Sequence, residues 1–259
     1  MTLTRRELLA TTTATTFINA TRGASARAEA AGGQIKAVGF DAFTIFDPRS
    51  VTVAVEESFP GRGAELSAAW RTRQFEYCWL RTLNRNYADF SRVTEDALAF
   101  ACKAAKLDLK PEARAKLMDA FLRLKPWPDS IAALKAMKAA NVRLAYVSNM
   151  TPTMLRVLTE NAGAADLFEH QLSTDAVKAF KPDPRAYQMA ETAFNLPREN
   201  IAFAAFGGWD AAGARSFGFD TFWVNRLGVP MEELGVAPNA AGGTLTELAT
   251  YVTARAKKD

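Results

Sequence analysis

Four polar clusters in this chain stand beside apolar stretches, and together they supply the groups that catalysis by a carboxylate nucleophile needs. Asp41 ends the run Ile35-Lys36-Ala37-Val38-Gly39-Phe40, and Ser148-Asn149 end Val142-Arg143-Leu144-Ala145-Tyr146-Val147. Asp210 follows Ile201-Ala202-Phe203-Ala204-Ala205-Phe206 and a Gly-Gly-Trp step, and Lys181 precedes Pro182-Asp183-Pro184. Taken alone, Asp41 reads as well as a turn cap as a nucleophile. The set as a whole shifts the balance, because a carboxylate, a hydroxyl, an amide, an ammonium and a second carboxylate form a working complement. An ammonium beside Asp41 favours its ionised form and offsets negative charge developing on an attacked ester. Asp210 can orient that ammonium or help deprotonate a water.

Residues about 170 positions apart meet only if the fold gathers them. The apolar runs are four to six residues long, as suits strands buried on both faces of a parallel sheet. Helical stretches alternate with them: 130–140, 152–161, 184–195 and 211–217, with further strands near 170–173 and 221–225. This alternation predicts an α/β, Rossmann-like doubly wound parallel sheet. In such a sheet the strand ends share one edge, where ligands bind. Between Ser50 and Lys125 no strand is evident. Leu66 to Leu80 repeats apolar residues at helical spacing, Thr94-Glu95-Asp96 offers a helix start, and Pro111 opens a third helix. The expected organisation is a core of residues 31–49 and 127–259 with an inserted helical-bundle cap, residues 50–126.

Residues 1–30 read as an export signal. Thr4-Arg5-Arg6-Glu7-Leu8-Leu9 sets paired arginines before a weakly apolar run, and small residues at Ala24, Ala26, Ala28 and Ala30 offer cleavage sites. This is the layout of a twin-arginine signal and predicts a periplasmic protein. The run is too short to span a bilayer. The chain carries 32 basic and 28 acidic side chains, of which four and two fall in that segment. A net charge near +2 is left, which gives no support to a nucleic-acid or membrane partner. Cys78 and Cys102 lie in helical patterns outside any zinc spacing and suit an apolar core. The single histidine, His170, gives little support to a histidine-based metal site or triad, and reads as a surface residue in a loop-like stretch.

The four clusters, taken in order with Phe59-Pro60-Gly61-Arg62-Gly63, Trp70-Arg71-Thr72-Arg73-Gln74, Glu76-Tyr77-Cys78-Trp79-Leu80-Arg81 and Gly213-Ala214-Arg215-Ser216-Phe217-Gly218-Phe219, resemble the haloacid dehalogenase superfamily. The likeness is to its type II, L-2-haloacid dehalogenase branch, and runs from Ile35 nearly to the C-terminus. It implies that Asp41 attacks the halogen-bearing carbon of a 2-haloalkanoic acid with inversion and expels halide. Water then hydrolyses the aspartyl ester to a 2-hydroxy acid. By the same resemblance Arg71 receives the halide with help from Asn149, while Ser148 and backbone amides after Asp41 hold the substrate carboxylate. Lys181, Asp210 and Tyr187 match the polar network; Thr44 is either the nucleophile-loop threonine after a deleted glycine or the first residue of a Thr-Ile pair that replaces Gly-Thr. Phe43, Phe75, Phe90 and Trp209 match positions lining an apolar slot. No metal or other cofactor is implied, since Phe43 stands where metal-dependent members carry a second aspartate. Members of this type commonly form homodimers.

The chain also departs from the pattern. The usual loop, Asp-x-Tyr-Gly-Thr-Leu-Phe-Asp, is one residue shorter at Asp41-Ala42-Phe43-Thr44-Ile45-Phe46-Asp47, and a glycine there serves a turn that only glycine adopts cheaply. Ala205 and Gly207 stand where the branch has a serine and an asparagine that position the hydrolytic water. Three functions therefore stay open: a dehalogenase with an altered water-activating site, a hydrolase of another small acid or ester, and a non-catalytic binder of small anions.

Overall fold

The computed structural model describes residues 33–256, so the expected export signal lies outside the described residues. Strand β1 (Ala37–Phe40) is buried along its whole length and is followed by a single helical turn, α1 (Ala42–Ile45), and a two-residue strand, β2 (Phe46–Asp47). Four helices come next: α2 (Arg49–Ser58), α3 (Gly63–Leu83), α4 (Phe90–Ala104) and α5 (Pro111–Ala120). The chain returns through β3 (Lys125–Pro126), which pairs antiparallel with β2, so the helical segment leaves and re-enters along one narrow ribbon. Helix α6 (Ser130–Ala139), β4 (Arg143–Ser148), α7 (Pro152–Asn161) and β5 (His170–Ser173) follow. Then come α8 (Pro184–Phe194), β6 (Ile201–Ala205), α9 (Gly208–Phe217), β7 (Asp220–Val224), β8 (Ala240–Gly242) and α10 (Leu245–Ala256).

Six parallel strands form one sheet in the order β5-β4-β1-β6-β7-β8. The chain builds outward from β1 on one side through β4 and β5, then crosses back to start again on the other side at β6. Strand β1 thus lies at the point where the strand order reverses, and the crevice beyond its C-terminal end is where such sheets hold ligands. Asp41 is the first residue past that end.

The local reasons are legible in the side chains. Helix α3 carries Leu66, Trp70, Gln74 and Cys78 as its buried stripe, at helical spacing. It is tied to α4 where Trp70 Nε1 donates to Thr94 O (2.8 Å) and Gln74 Nε2 to Thr94 Oγ1 (2.6 Å). Thr94 is therefore inside α4, not at its start. The cap is Asp89, whose carboxylate accepts from Arg92 N at 2.9 Å, and Thr94 Oγ1 donates back to Phe90 O. Helix α2 shows little apolar period in the sequence, because only Val51 and Val55, one turn apart, are buried. Both cysteines are free and buried, as their apolar surroundings suggest. The strand expected near 170–173 is edge strand β5, and His170 opens it, half-buried with its ring against Phe194 at 5.6 Å.

Candidate active site

Asp41 takes an extended backbone conformation and caps the turn α1. Its Oδ1 accepts from Phe43 N at 2.8 Å, and its Oδ2 accepts from Lys181 Nζ at 2.6 Å. The turn-cap reading and the nucleophile reading are therefore compatible: the cap bond fixes the carboxylate's orientation. The shortened loop closes without its glycine because residues 42–45 form one ordinary helical turn, and none of residues 41–47 has a positive φ.

That turn is clasped from behind by side chains on three successive carbonyls. Trp127 Nε1 donates to Phe43 O (3.0 Å), Arg226 Nη2 to Thr44 O (2.9 Å) and Ser130 Oγ to Ile45 O (2.9 Å). Arg226 is itself held by Asp129 at 2.6 Å, and its guanidinium lies over the Trp127 ring. Thr44 turns inward, its hydroxyl donating to Asp41 O at 2.7 Å, so it shapes the nucleophile turn and does not line the cavity.

Lys181 is fully buried, and its ammonium bridges Asp41 Oδ2 and Asp210 Oδ2 at 2.6 and 2.7 Å. Its amide donates to Asn149 Oδ1 (3.0 Å), which anchors the lysine's backbone to the end of β4. The preceding amide, Phe180 N, donates to Thr82 Oγ1 of α3 (3.0 Å), so the lysine is tied to the inserted helices as well. Asp210, in the first turn of α9, takes Lys181 on one oxygen and the Tyr187 hydroxyl on the other at 2.7 Å. This close approach needs Gly213: a Cβ there would stand 2.6 Å from the Tyr187 hydroxyl oxygen.

Charge follows from this packing. Burial works against the Lys181 ammonium, yet the carboxylates of Asp210 and Asp41 outweigh it and hold its pKa above the usual value. Asp210 is pushed up to about 6, first by burial and then by the charge of Asp41, with Lys181 opposing both. Burial and the Asp210 charge drive the Tyr187 hydroxyl well up, so it stays a donor. One ammonium thus compensates two carboxylates.

A cavity of about 320 Å³ meets the nucleophile turn at Phe43, between α2 and α3 on one side and Phe43, Phe206 and Leu227 on the other. Asp41, Lys181 and Asp210 do not line it, and neither does Trp209, which was expected in its wall. Arg71 and Phe75 face it from α3. Arg71 makes no ion pair or hydrogen bond among the described residues, which leaves its charge available to an anion. Ser148 and Asn149 are buried at the strand end; Ser148 Oγ accepts from Met150 N (3.1 Å), and Asn149 Nδ2 has no partner among the described residues. Trp209 packs its ring against Phe75 (5.2 Å) and Trp79 (5.5 Å). Phe90 is placed otherwise than expected: it is fully buried behind the site, 6.4 Å from the Phe180 ring, and does not reach the cavity wall. Its position just after the α4 cap directs it into the interface with the segment that carries Lys181.

Residues 2–218 match the haloacid dehalogenase-like hydrolases. The chain belongs to this family. Among relatives, the hydrolase is 45% identical over 206 residues to a (S)-2-haloacid dehalogenase of Pseudomonas sp. (strain YL), covering 79% of this chain and 89% of that one. It is 39% identical to haloacetate dehalogenase H-2 of Moraxella sp. (strain B) over 80% of this chain and 92% of the other. Among solved structures, the L-2-haloacid dehalogenase RSc1362 superposes with a TM-score of 0.83 at 42% identity, over 85% of this chain and 99% of that one. The L-2-haloacid dehalogenase of Xanthobacter autotrophicus, solved with chloropropionic acid covalently bound, gives 0.78 at 35% identity, over 84% and 98%.

Residues that sequence reasoning missed in the hydrolase are the supports. Phe206 and Leu227 wall the cavity, and Trp127, Ser130 and Arg226 hold the nucleophile turn. The only sequence signal was placement, since Phe206 follows β6 and Arg226 follows β7. Trp127→Phe keeps the ring and leaves the buried Phe43 carbonyl without its donor. Urea denaturation is expected to show a loss of about 1–3 kcal/mol. An unchanged midpoint would show that the indole N–H contributes nothing.

Proposed function

We propose that this hydrolase converts 2-haloalkanoic acids to 2-hydroxy acids through an ester on Asp41. The observation that carries the reading is the Asp41–Lys181–Asp210 network beside a cavity that presents Arg71. An Asp41 oxygen bonds to C2 of the substrate as the carbon–halogen bond breaks, and the halide leaves with its electron pair toward Arg71. Water then adds to the ester carbonyl, the bond to the substrate oxygen breaks, and Asp41 is regenerated with release of one proton. Splitting one hard displacement into two steps is the merit of covalent catalysis. The covalent chloropropionate complex of the Xanthobacter relative supports the same path here. The chemistry is assigned to Lys181 and the carboxylates, and no step calls for a metal.

The test is chloride release from each enantiomer of 2-chloropropionate, followed with the intact mass of the protein. Turnover of the S enantiomer supports the reading, and a persistent adduct on Asp41 identifies slow ester hydrolysis. Chloride release that survives Asp41→Asn, or binding with no chemistry, contradicts it. The twin-arginine motif supports a periplasmic location, tested by cell fractionation, and resemblance supports a homodimer, tested by sedimentation.

The raised pKa of Asp210 sets a pH dependence. Below about 6 this group is neutral, so it no longer orients the Lys181 ammonium or accepts a proton from water. Ester hydrolysis is expected to fall through an apparent pKa near 6, a property of the coupled cluster, and Asp210→Asn is expected to flatten that limb. A pKa raised by folding stabilises most below the unfolded value and loses that contribution as pH rises through about 6. Acid inactivation in this range therefore does not come from unfolding driven by Asp210. Single-turnover rates and thermal melts across pH 4–8 check both halves, and a pH-independent hydrolysis step would contradict the assignment.

A further inference from the structure

The cavity adjoins the reacting groups only at one end, where Phe43, whose amide caps Asp41, and Phe75, whose ring meets Trp209 beside Asp210, form its wall. Along α3 its wall is made by Ala64, Ser67, Ala68, Arg71 and Phe75, spaced at helical intervals on one face. Eleven residues at 1.5 Å each carry that face over about 16 Å. Arg71 and Phe75 mark the end toward Asp41. At the other end the helix presents the small side chains of residues 64, 67 and 68, which leaves a channel floored by Val51, Thr52 and the paired rings of Trp70 and Phe121. A volume of about 320 Å³ is room for roughly ten water-sized atoms, since a liquid water occupies about 30 Å³. A three-carbon halo acid fills about half of it or less.

We infer that this channel receives the tail of a medium-chain substrate, a 2-halo acid with an unbranched apolar chain of about four to six carbons beyond C2. The inference rests on the proposed dehalogenation and names its substrate class. Three features favour a substrate tail as occupant. The channel is continuous with the end that presents Arg71, and its walls are mainly apolar. It is also open to solvent beside Ala68 and Leu227, so that a chain can enter. Its outer charged neighbour, Arg49, is already paired with Asp47 and stacked on Trp127, so it does not demand a second anion there. Phe206, the residue after β6, stands 5.9 Å from Phe43, and the two rings form the core-side wall at the point where the tail would leave C2.

The experiment compares kcat/KM for S enantiomers of 2-bromopropionate, 2-bromohexanoate and 2-bromooctanoate, on the full-length protein and on Ala68→Trp. Position 68 is exposed on α3, so the larger side chain lies in the channel without disturbing the core. Each buried methylene is expected to raise kcat/KM about threefold to fourfold until the channel is full. Ala68→Trp is expected to lower the octanoate-to-propionate ratio at least about tenfold. A wild-type ratio of one or below, or a ratio that Ala68→Trp does not move, overturns the inference while leaving dehalogenation of short acids standing. Calorimetric binding of octanoate against propionate decides the point without turnover. Tighter binding of octanoate that Ala68→Trp abolishes supports the channel even if no bromide appears, and equal binding overturns it.

Discussion

Asp41→Ala is expected to lower halide release from 2-chloropropionate by about 10⁴-fold or more, the scale seen when a covalent nucleophile is removed. The geometry explains why no neighbour substitutes. Asp210 is the other carboxylate of the network, and both of its oxygens are already engaged, one by Lys181 and one by Tyr187. It is also fully buried and does not line the cavity, so it is not presented to a substrate carbon. The variant should fold. It loses the cap bond to Phe43 N, a loss of about 1 kcal/mol, while Lys181 keeps Asp210 as its counter-ion and the clasp on residues 43–45 is untouched. A chloride assay beside a circular dichroism melt separates lost chemistry from lost fold. Residual release within tenfold of wild type would show that another group attacks.

Lys181→Met gives the second large effect, and it falls on stability and chemistry together. Among the described residues, the ammonium is the one cation within hydrogen-bond reach of both Asp41 and Asp210, at 2.6 and 2.7 Å. Removing one partner of a buried ion pair leaves uncompensated charge at a cost of about 3–5 kcal/mol. Here two carboxylates would face each other across the vacated space, so protonation of one relieves the repulsion. The deficit is therefore expected to be largest at pH 8 and smaller at pH 5, measured by urea denaturation at both. Halide release is expected to drop by roughly 10²–10³-fold, the usual effect of losing one donor that stabilises developing charge. A deficit that does not change with pH would show that the carboxylates are not coupled through this lysine.

Much of this arrangement could be read from the chain. Strands β1, β4, β6 and β7 are short, apolar and separated by helices, and a parallel sheet brings Asp41, Ser148, Asn149 and Asp210 to one edge whatever lies between them. Lys181 was readable because a charged side chain just before Pro182-Asp183-Pro184 had to lie at a helix entrance, and Asp183 is indeed the cap of α8. What stayed hidden depends on three-dimensional contact without a period. Nothing in a linear pattern says that Trp127, Ser130 and Arg226 will each find a carbonyl of one turn, or that Phe90 will turn toward Phe180 and not toward the cavity. The missing glycine is a similar case. Its absence suggested a strained loop, and the chain resolves it with an unstrained helical turn.

Gly207 shows the limit most clearly. From the sequence, a polar side chain there looks simply lost. In the fold, the Trp209 indole occupies the place, with its Nε1 2.7 Å from where a Cβ on residue 207 would stand. The indole also touches Phe75 and Trp79 of α3, so this edge of the site is closed by an aromatic contact between α9 and the inserted helices. Adding asparagine at 207 therefore displaces Trp209 first, and any effect on the hydrolytic water follows from that movement.

The central claim is that an Asp41 oxygen becomes bonded to substrate carbon. A single turnover in ¹⁸O-labelled water, with enzyme in excess over 2-chloropropionate, tests it most directly. Attack of water on the ester carbonyl predicts the heavy oxygen in the proteolytic peptide that carries Asp41 and ordinary oxygen in the hydroxy acid. Label in the first-formed 2-hydroxy acid, with none in that peptide, would mean that water strikes the substrate carbon directly and that the carboxylate never forms the bond assigned to it.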